Sequence, residues 1–532
     1  MAAGLAAGAA TRRDLRVFAH ASPEHPAVVC GEARLSYAEL EALANRLAAV
    51  FRSLGLERGD HAAVLLGNRP EALAIAWGAY RCGVYLTPIA TSLAPREIAY
   101  LIDDCDARIV VADAMLGDSA AAAARAVTRA IRWLSWEGSI PGHEAIEPLL
   151  ARASASPHEH EPPGALMVYT SGTTGAPKGV IRPLPPPDFR GTPAFAADLH
   201  ALFDLAGSDR RYLSTAPLYH AAPLRCALAV TAGGGTVHVM DRFDAGRALD
   251  LLEAEAITHS QWVPAMFQRL LELPAARRAR FRAPSHRVAI HGAAPCPAAL
   301  KQAMIDWWGP ILLEYYSGSE GVGLTLIDSH EAQSKPGSVG RARKGELHVV
   351  DDQARELPAG ATGLVCFSGI APFEYYKAAE KTRARTQPQG WQTFGDIGHV
   401  DVDGYLYLTD RADDMIISGG VNVYPQEIER VIAATPGVWE CAVVGVPDPR
   451  FGERPVAFIV AERGGELESA ALLDAVRGAC ERDLGRFKRP VAFFTIERLP
   501  RSPTGKLIRR ELREEARRHR PDNDLAPEER RS

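Results

Sequence analysis

The chain has 532 residues, of which 47% are hydrophobic and 23% charged, and its formal net charge is −5. This length exceeds a single typical core, so two or more domains are expected, and the balanced charge does not indicate a nucleic-acid partner. The eight cysteines are scattered, without a Cys-x-x-Cys pair, which argues against a disulfide framework or zinc knuckle and favours a reducing cytoplasm.

The N-terminal part of the sequence predicts a disordered start followed by alternating helices and strands. Residues 1–12 are rich in Ala and Gly, and the arginines follow the apolar residues, which is the wrong order for a signal peptide. No apolar run reaches the roughly 18 residues that span a membrane. A capping box at Ser36 and Glu39 opens an amphipathic helix, and strands and a helix follow up to Ala112. We therefore expect an α/β fold with mostly parallel sheets.

A run of small residues follows an apolar segment, Ala165–Tyr169, that reads as one buried strand. Glycine lets the backbone approach an anion, while N–H groups, hydroxyls and a lysine can surround phosphate. The run is not the usual P-loop, because Gly179 and not Ser or Thr follows the lysine. It predicts a phosphate cradle, with an ordinary turn as the alternative. Its candidate residues are Thr170, Ser171, Gly172, Thr173, Thr174, Gly175 and Lys178.

Aromatic residues further along the chain could border a substrate pocket. Tyr219 and His220 follow a predicted strand at 211–215, although a single histidine is more often structural. Trp262, Val263 and Met266 are apolar enough for a core or for a hydrophobic pocket, and the sequence does not separate the two.

Two predicted strands end in small or polar residues, at the edge where α/β folds commonly bind ligands. The first ends at Gly292, Ala293 and Ala294. The second ends at Tyr315 and Tyr316 and continues into a turn with Ser319 and Glu320. An aromatic face can stack on a purine, and a carboxylate beside triphosphate suits Mg²⁺. The alternative is a core tyrosine pair next to a solvated glutamate.

The last part of the sequence changes character. Asp396 lies in a Gly-bounded turn, where its carboxylate could accept from ribose hydroxyls or only form the turn. A charged segment before Gly419 and Gly420 predicts a joint between domains. Beyond it, helices and strands predict a small α+β domain that ends in a Pro/Gly loop presenting Lys506.

Together these features resemble the AMP-forming adenylating superfamily, which contains acyl-CoA synthetases, non-ribosomal peptide adenylation domains and firefly-type luciferases. The resemblance runs from Ser36 to Lys506, with the motifs in the family's order. The stretch Asp413–Glu429 is most similar to fatty-acyl and aryl-acyl CoA ligases.

The resemblance implies how nucleotide would be bound. The Thr170–Lys178 loop would hold the β- and γ-phosphates, and Glu320 with Thr170 would bind Mg²⁺. Adenine would stack on Tyr316 beside the tip that begins at Gly292. Further implied contacts are Ser319 with the α-phosphate, Asp396 and Arg411 with ribose, and Lys506 with the acyl carboxylate and α-phosphate.

The resemblance also implies roles for the acyl group and the thiol. His220 would lie near the carboxylate being activated, in an acyl pocket with Tyr219, Trp262, Val263, Met266 and Tyr315. Asp413 falls at the family's hinge, and a rotation there would bring Ser418, Gly419 and Gly420 to the CoA thiol.

Three short departures from the family's motifs are visible. Tyr316-Ser-Gly-Ser-Glu320 replaces Tyr-Gly-x-Thr-Glu, Phe394-Gly-Asp396 replaces Thr-Gly-Asp, and Gly363-Leu364 stands where Gly-Glu is common. None of them removes a chemical group that the mechanism needs.

The resemblance thus implies an N-terminal AMP-binding domain at 1–411 and a small mobile domain at 412–532 that carries the catalytic lysine. We expect a cytoplasmic, ATP-dependent carboxylate–CoA ligase without a nucleic-acid partner, and a homodimer is left open. The alternative is a freestanding adenylating enzyme that passes its acyl group to a carrier protein or an amine. Ala221, Ala222 and Pro223 stand where amino-acid-activating relatives usually have an aspartate, which favours a substrate without an α-amine.

Overall fold

The computed structural model describes residues 14–170, 177–411, 414–418, 421–449, 451–462, 469–501 and 507–518. The described residues form two compact units. The first takes in the described residues up to Pro336 together with Ala371–Ala384, and the second takes in Gly337–Ile370 and the described residues from Arg385 onward. The disorder expected for residues 1–12 falls outside the described residues, and the domain boundary at 411/412 stays a prediction.

Helices and strands are numbered in chain order. The helices of the first unit are α1 (Leu15–Ala21), α2 (Tyr37–Ser53), α3 (Glu71–Tyr80), α4 (Pro95–Asp104), α5 (Gly117–Ala126), α6 (Glu147–Arg152), α7 (Ala194–Phe203), α8 (Ala221–Gly233), α9 (Ala245–Ala254), α10 (Pro264–Leu271), α11 (Ala275–Arg280), α12 (Ala298–Trp308), α13 (Ser329–Ser334) and α14 (Ala379–Arg383). Those of the second unit are α15 (Pro425–Ala433), α16 (Ser469–Asp483) and α17 (Arg509–Arg518).

The strands of the first unit are β1 (Pro26–Cys30), β2 (Ala33–Ser36), β3 (His61–Leu65), β4 (Tyr85–Pro88), β5 (Ala107–Asp113), β6 (Arg132–Trp136), β7 (Glu144–Ala145), β8 (Ala165–Leu166), β9 (Val168–Thr170), β10 (Lys178–Ile181), β11 (Arg211–Ser214), β12 (Thr236–Val239), β13 (His259–Trp262), β14 (Val288–His291), β15 (Leu312–Tyr316), β16 (Leu324–Asp328) and β20 (Glu374–Tyr375). Those of the second unit are β17 (Arg341–Lys344), β18 (Glu346–Val350), β19 (Gly363–Ser368), β21 (Asp396–Val400), β22 (Leu406–Arg411), β23 (Ile416–Ser418), β24 (Val421–Val423), β25 (Val438–Asp448), β26 (Gly452–Ala461) and β27 (Ala492–Thr495).

Local sequence rules account for the first long helix. The Ser36 side chain accepts a hydrogen bond from the Glu39 backbone N–H (3.2 Å), and the Glu39 carboxylate accepts from the Ser36 N–H (2.8 Å). This is the predicted capping box, which satisfies two N–H groups that a helix start otherwise leaves without partners. Beyond the helix end, Gly55 adopts a left-handed φ of +83°, which terminates the predicted segment. Its apolar stripe then packs into the core of the first unit.

Parallel sheets dominate the first unit, as expected. One sheet has the order β7–β6–β5–β3–β4–β8, and its neighbouring strands pair in parallel. Within this unit a second sheet has the order β16–β15–β14–β13–β11–β12–β1–β2, with antiparallel strands only at its two ends among the described pairs. Helices between consecutive strands provide the crossover connections that parallel pairing requires.

One strand prediction was wrong in a way that matters for the phosphate loop. The apolar run Ala165–Tyr169 is not one strand, because β8 pairs with β4 in the first sheet whereas β9 pairs with β10 in a small antiparallel sheet with β20. The break falls at Met167, which is fully buried and donates its backbone N–H to Leu86 O (2.9 Å). The change of sheet has no local signal, because residues 165–169 on both sides of the break are apolar.

The second unit has the α+β character predicted for the C-terminal region. An antiparallel sheet runs β18–β19–β21–β22, and another runs β24–β23–β26–β25 with β27 added in parallel to β26. Helices α15 and α16 pack on the second of these sheets around Ile428, Ile432 and Val476. Across the described part of the chain, no helix is both long enough and apolar enough to cross a membrane.

Buried histidines predict how the stability of the first unit depends on pH. Burial lowers the pKa to about 4 at His220, His238 and His259 and to about 3 at His286 and His291. Below the usual histidine value of about 6.5 the unfolded chain therefore binds more protons than the folded one, so stability falls as pH is lowered through this window. We expect the thermal unfolding midpoint to decrease steadily from about pH 7 to about pH 5.

A single substitution provides the control for this prediction. Neither ring nitrogen of His291 has a hydrogen-bond partner, so His291→Asn removes a titrating group without breaking a bond and should make the decrease shallower. Glu314 works in the opposite sense, since burial raises its pKa despite Lys301. An unfolding midpoint that stays constant or rises on acidification contradicts the prediction.

Candidate functional site

The carboxyl ends of parallel strands gather the candidate residues of the first unit at one edge. Strands β11, β13, β14 and β15 pair in parallel, so their last residues lie at the same edge of the sheet. Trp262 is the last residue of β13, and the segments that follow β11, β14 and β15 carry Tyr219 and His220, the Gly292 tip, and the turn that ends in Glu320. This is the edge at which open α/β sheets bind ligands.

The tip after β14 is held tightly against the end of β15. A Cβ atom at Gly292 would lie 2.7 Å from the Tyr315 carbonyl oxygen and 2.9 Å from its ring. Only glycine fits at this approach. Ala293 next to it has a φ of +69°, a left-handed conformation that is uncommon for a residue other than glycine. The backbone of the tip from Gly292 to Ala294 is therefore fixed by its close packing against Tyr315.

Hydrogen bonds pin the turn after β15. The Ser317 hydroxyl donates to Gly323 O (2.7 Å), and the Gly321 N–H donates to Gly318 O (3.0 Å). In addition, the Arg182 guanidinium donates to the backbone carbonyls of Glu320 (2.8 Å) and Gly321 (2.9 Å). The half-buried Ser319 and the Glu320 carboxylate are thus presented on a fixed backbone.

One tyrosine brings Glu320 and Lys178 together. The Tyr375 hydroxyl donates to Glu320 Oε1 (2.7 Å), and the Lys178 ammonium nitrogen lies 5.1 Å from the centre of the Tyr375 ring. Pairing of β20 with β10 sets this arrangement, because Tyr375 is opposite Val180. The cluster of Lys178, Tyr375 and Glu320, here called the lysine–tyrosine–glutamate cluster, places a cation and a carboxylate on two sides of one ring.

The base of the predicted phosphate loop is a short ladder. Lys178 pairs with Thr170 and Gly179 with Tyr169 across β10 and β9. The Tyr169 hydroxyl donates to Asp104 Oδ2 (2.6 Å), and burial followed by this bond raises the pKa of Tyr169. The two ends of the loop are therefore joined and anchored to α4.

His220 is a neutral hydrogen-bonding group at the start of α8. Burial lowers its pKa to about 4, and its Nε2 atom has no hydrogen-bond partner. The Tyr219 ring lies 4.5 Å from the His220 ring, and burial raises the pKa of Tyr219 despite hydrogen bonds to Thr91 and Ser92. At neutral pH this histidine can hydrogen-bond a carboxylate but does not add positive charge.

The apolar candidates differ in how they are placed. Trp262 is fully buried, its indole N–H donates to Ser260 Oγ (2.6 Å), and its ring packs 5.3 Å from that of Trp308. Met266 accepts a weak hydrogen bond from Thr215 (3.2 Å) and, like Val263, is partly exposed. Trp262 therefore belongs to a core of aromatic rings, and an acyl-pocket role for all three stays a prediction.

In the second unit, the two candidate ribose ligands face each other across a ladder. Asp396, the first residue of β21, pairs with Arg411, the last residue of β22. Before it, Gly395 has a φ of +85°, and the Arg385 guanidinium occupies the place where a Cβ would be. The Thr393 hydroxyl accepts from the Gly395 N–H (2.9 Å) and so shapes the turn.

Of the other candidates in the second unit, the structure describes Ser418 and the residues that flank the loop of Lys506. Ser418 is buried and pairs with Val421 and Gly452. The loop that carries the predicted lysine is closed by a bridge between Arg501 and Leu507. Predictions that lie outside the described residues concern Ser171, Gly172, Thr173, Thr174, Gly175, Asp413, Gly419, Gly420 and Lys506.

The chemistry of Glu320 fits a magnesium ion. Its Oε2 atom accepts no hydrogen bond from any described residue, and carboxylate oxygen is a preferred ligand of Mg²⁺. No cluster of three or more His, Cys, Asp or Glu side chains that could hold a metal occurs among the described residues, including the loop with His158 and His160. A single carboxylate suits Mg²⁺, which usually keeps waters and substrate phosphates as its other ligands.

Tyr375 was missed from the sequence. It lies in the short segment Phe373–Tyr376, which has no motif and too few residues for a periodic pattern. Its contacts with Glu320 and Lys178 depend on the pairing of β20 with β10, and no local sequence pattern predicts that pairing.

Comparison with known proteins places the chain among adenylating enzymes. The AMP-binding enzyme model matches residues 15–377, and the model of the AMP-binding enzyme C-terminal domain matches residues 427–506. The long-chain-fatty-acid–CoA ligase FadD13 of Mycobacterium tuberculosis is 34% identical over 510 residues, which cover 94% of this chain and 97% of that protein.

Two further relatives widen the range of activities. The fatty acid–[acyl-carrier-protein] ligase ScoC of Streptomyces coeruleorubidus is 32% identical, over 92% of this chain and 93% of its own. The crystal structure of ATP-bound MatB from Rhodopseudomonas palustris matches with a TM-score of 0.79 and 30% identity, over 94% of this chain and 99% of that one.

Removal of one hydroxyl tests the lysine–tyrosine–glutamate cluster. We expect Tyr375→Phe to raise the KM for Mg·ATP by about tenfold, because a hydrogen bond to a charged group contributes about 1.5–3 kcal/mol. The matched control is Tyr376→Phe, which loses a bond to Asp106 (2.7 Å) and leaves Glu320 untouched. Steady-state kinetics with Mg·ATP as the varied substrate provide the measurement, and equal effects of the two variants contradict the prediction.

Proposed function

Because this chain belongs to the AMP-binding enzyme family, we propose that it is an AMP-forming ligase that joins a carboxylic acid to the thiol of coenzyme A. In the first half-reaction the carboxylate and ATP give acyl-AMP and pyrophosphate. In the second, the CoA thiol attacks the acyl carbon, the thioester forms, and AMP and a proton leave. The similarity to FadD13, which is named as a CoA ligase, supports this acceptor.

The lysine–tyrosine–glutamate cluster is the observation that carries the proposal. Lys178 closes the loop proposed to hold the β- and γ-phosphates, and Tyr375 links it to Glu320. A cation for phosphate oxygens and a carboxylate with a free oxygen for Mg²⁺ are the groups that binding of a triphosphate needs. When bound by Glu320 and Thr170, Mg²⁺ would supply charge neutralisation for the phosphates.

Electrostatics dominates the proposed first half-reaction. An acyl carboxylate is ionised at neutral pH, so no general base is required. Neutral His220 would hydrogen-bond this carboxylate and hold it near the α-phosphate. Lys506 would stabilise negative charge on the α-phosphate while the bond to the pyrophosphate oxygen breaks.

The remaining nucleotide contacts are proposed on the family's pattern. Tyr316 and the Gly292–Ala294 tip would hold adenine, and Ser319 would contact the α-phosphate. Asp396 and Arg411, which pair across β21 and β22, would hold the ribose. Replacement of Gly395 would push the Arg385 guanidinium out of its place against Gly395, the residue before Asp396.

The second half-reaction is proposed to depend on a hinge at Asp413, with 1–411 and 412–532 as the two domains. Thiol attack no longer needs Lys506, and a conformational step would exchange it for Ser418, Gly419 and Gly420. A cytoplasmic location is part of the proposal, and the eight cysteines, all free, support it.

A second candidate acceptor is a carrier protein or an amine. ScoC, which is named as a ligase for an acyl-carrier protein, is about as similar to this chain as FadD13 is. Both acceptors attack the same acyl adenylate, so they share the first half-reaction and differ only in the second.

The experiment that tests the function measures pyrophosphate release from ATP for a panel of carboxylic acids, each with and without CoA. We expect one class of acid to release pyrophosphate and to yield a CoA thioester. Acyl hydroxamate formed with hydroxylamine but no thioester with CoA would favour the carrier-protein or amine acceptor. Absence of acid-dependent pyrophosphate release over the panel would contradict both.

Two variants separate the half-reactions. We expect Lys506→Ala to lower acyl-adenylate formation at least 100-fold, as loss of one oxyanion-stabilising group commonly does, and to spare thioester formation from supplied acyl adenylate. Asp413→Pro should have the opposite effect, because a locked φ prevents rotation at the hinge. Each half-reaction is measured alone, by pyrophosphate release and by thioester formation.

The outcome against this assignment is equally specific. If Lys506→Ala slows both half-reactions equally, the lysine has another role. If Asp413→Pro turns over normally, the hinge lies elsewhere. Unfolding midpoints equal to that of the unaltered protein serve as the control for both variants.

A further inference from the structure

Arg225 lies on the open face of α8, close to the start of the helix. Most of α8 is buried, but Ala221, Ala222 and Arg225 keep accessible surface, and one helical turn separates Ala221 from Arg225. Protein atoms nevertheless crowd the guanidinium so closely that burial is the main cause of the lowered pKa of Arg225. Arg225 is therefore largely enclosed by protein atoms and still keeps accessible surface near the start of α8.

The Arg225 guanidinium has no counter-charge in the described structure. It forms no hydrogen bond and no ion pair with any residue that the structure describes. The titratable groups that act electrostatically on it are Arg182, Cys226 and Tyr315. Burial raises the pKa of Cys226 to about 12 and also raises the pKa of Tyr315, so both are neutral at neutral pH. Arginine itself stays charged.

A second guanidinium increases the positive charge at this place. Arg182 donates to the backbone carbonyls of Ala371 (2.6 Å), Glu320 (2.8 Å) and Gly321 (2.9 Å). Burial lowers the pKa of Arg182, and Asp198 is the acidic group that acts on this guanidinium. Arg182 also interacts electrostatically with Arg225. Two neighbouring cations face one carboxylate, and an unpaired buried charge is costly to desolvate. An anionic ligand would remove that cost.

The position of Arg225 connects it to the acyl side of the proposed active site. Tyr315, which interacts electrostatically with Arg225, is the penultimate residue of β15 and contacts the Gly292 tip. His220, the proposed partner of the reacting carboxylate, is five residues earlier and begins the same helix. Five residues of α-helix span about 7.5 Å, so a ligand that reaches both residues is short.

We propose that Arg225 binds a second, negatively charged group on the acyl substrate, so that the enzyme activates a short acid with an anionic far end. This inference rests on the proposed function. A carboxylate can accept two parallel hydrogen bonds from a guanidinium, and a sulfonate offers the same oxygens. The acid to be activated is then a dicarboxylate or a sulfonated carboxylate. A long apolar acid is excluded as the preferred substrate, because it would cover Arg225 without pairing it.

The first test compares acids that differ only at the far end. Pyrophosphate release is measured for succinate, glutarate, adipate and pimelate, each against its mono-amide and against the unsubstituted acid of equal length. A separate arm uses 3-sulfopropionate, which distinguishes a sulfonate from a carboxylate partner. We expect kcat/KM to be at least tenfold higher for the dianionic acid than for its mono-amide. A higher value for the mono-amide or the unsubstituted acid overturns the inference and leaves the proposed function intact.

The second test removes the charge. Arg225→Met keeps the length of the side chain and should lower kcat/KM for the dianionic acid at least tenfold, with less than threefold change for its mono-amide and for the KM of ATP. Arg225→Lys should recover part of the activity. The matched control is Arg242→Met at an exposed arginine, which should behave as the unaltered enzyme. An equal loss with every acid, or a raised KM for ATP alone, assigns Arg225 to the nucleotide and overturns the inference.

Calorimetry distinguishes failure of this inference from failure of the proposed function. Binding of the best dicarboxylate is measured to the unaltered protein and to Arg225→Met without turnover. Binding that the substitution abolishes supports the anion site even if ATP is not cleaved. Equal binding by the two proteins, or none by either, overturns it.

Discussion

Repulsion between anions is the constraint that the proposed reaction places on this site. A carboxylate that attacks a phosphate of ATP must approach a group that already carries negative charge, and positive charge must be held in place before it arrives. Lys178 lies over the Tyr375 ring, and Arg182 holds the Glu320 turn through its carbonyls. Arg225 adds a cation that no described residue neutralises. Lys178 on β10, Arg182 directly after it and Arg225 on α8 thus place positive charge near the end of β15 and the turn that carries Glu320.

The structural elements explain why these groups keep their places. Parallel pairing of β13, β14 and β15 puts their last residues side by side, and the contact of Gly292 with Tyr315 locks two of those ends together. The ladder between β9 and β10 joins the ends of the phosphate loop, and the bridge from Arg501 to Leu507 does the same for the lysine loop. In both cases the residues that flank the loop are therefore paired with each other.

Local rules made part of this structure predictable from the sequence. The capping box at Ser36 depends on neighbouring residues, and the parallel strands follow from alternating strand and helix patterns; the structure confirms both. The Gly-bounded turn predicted at Asp396 was wrong, because Asp396 is the first residue of β21 and pairs with Arg411, and the left-handed residue is Gly395 before it. The break at Met167 could not be predicted, because one uninterrupted apolar run, Ala165–Tyr169, crosses it. Tyr375 and Arg225 were missed for a related reason. The role inferred for Tyr375 depends on Glu320, which is 55 residues away, and that of Arg225 depends on the lack of a partner among the described residues. A short sequence pattern shows neither property.

The bond that is broken in ATP is the central point of the account. The most direct measurement is phosphorus NMR of the products when the enzyme, Mg·ATP, CoA and an acid that the enzyme accepts are mixed, with and without that acid. The account predicts acid-dependent formation of AMP and pyrophosphate in equal amounts, because the attack is on the α-phosphate. Formation of ADP and inorganic phosphate would contradict it, since cleavage would then fall between the β- and γ-phosphates.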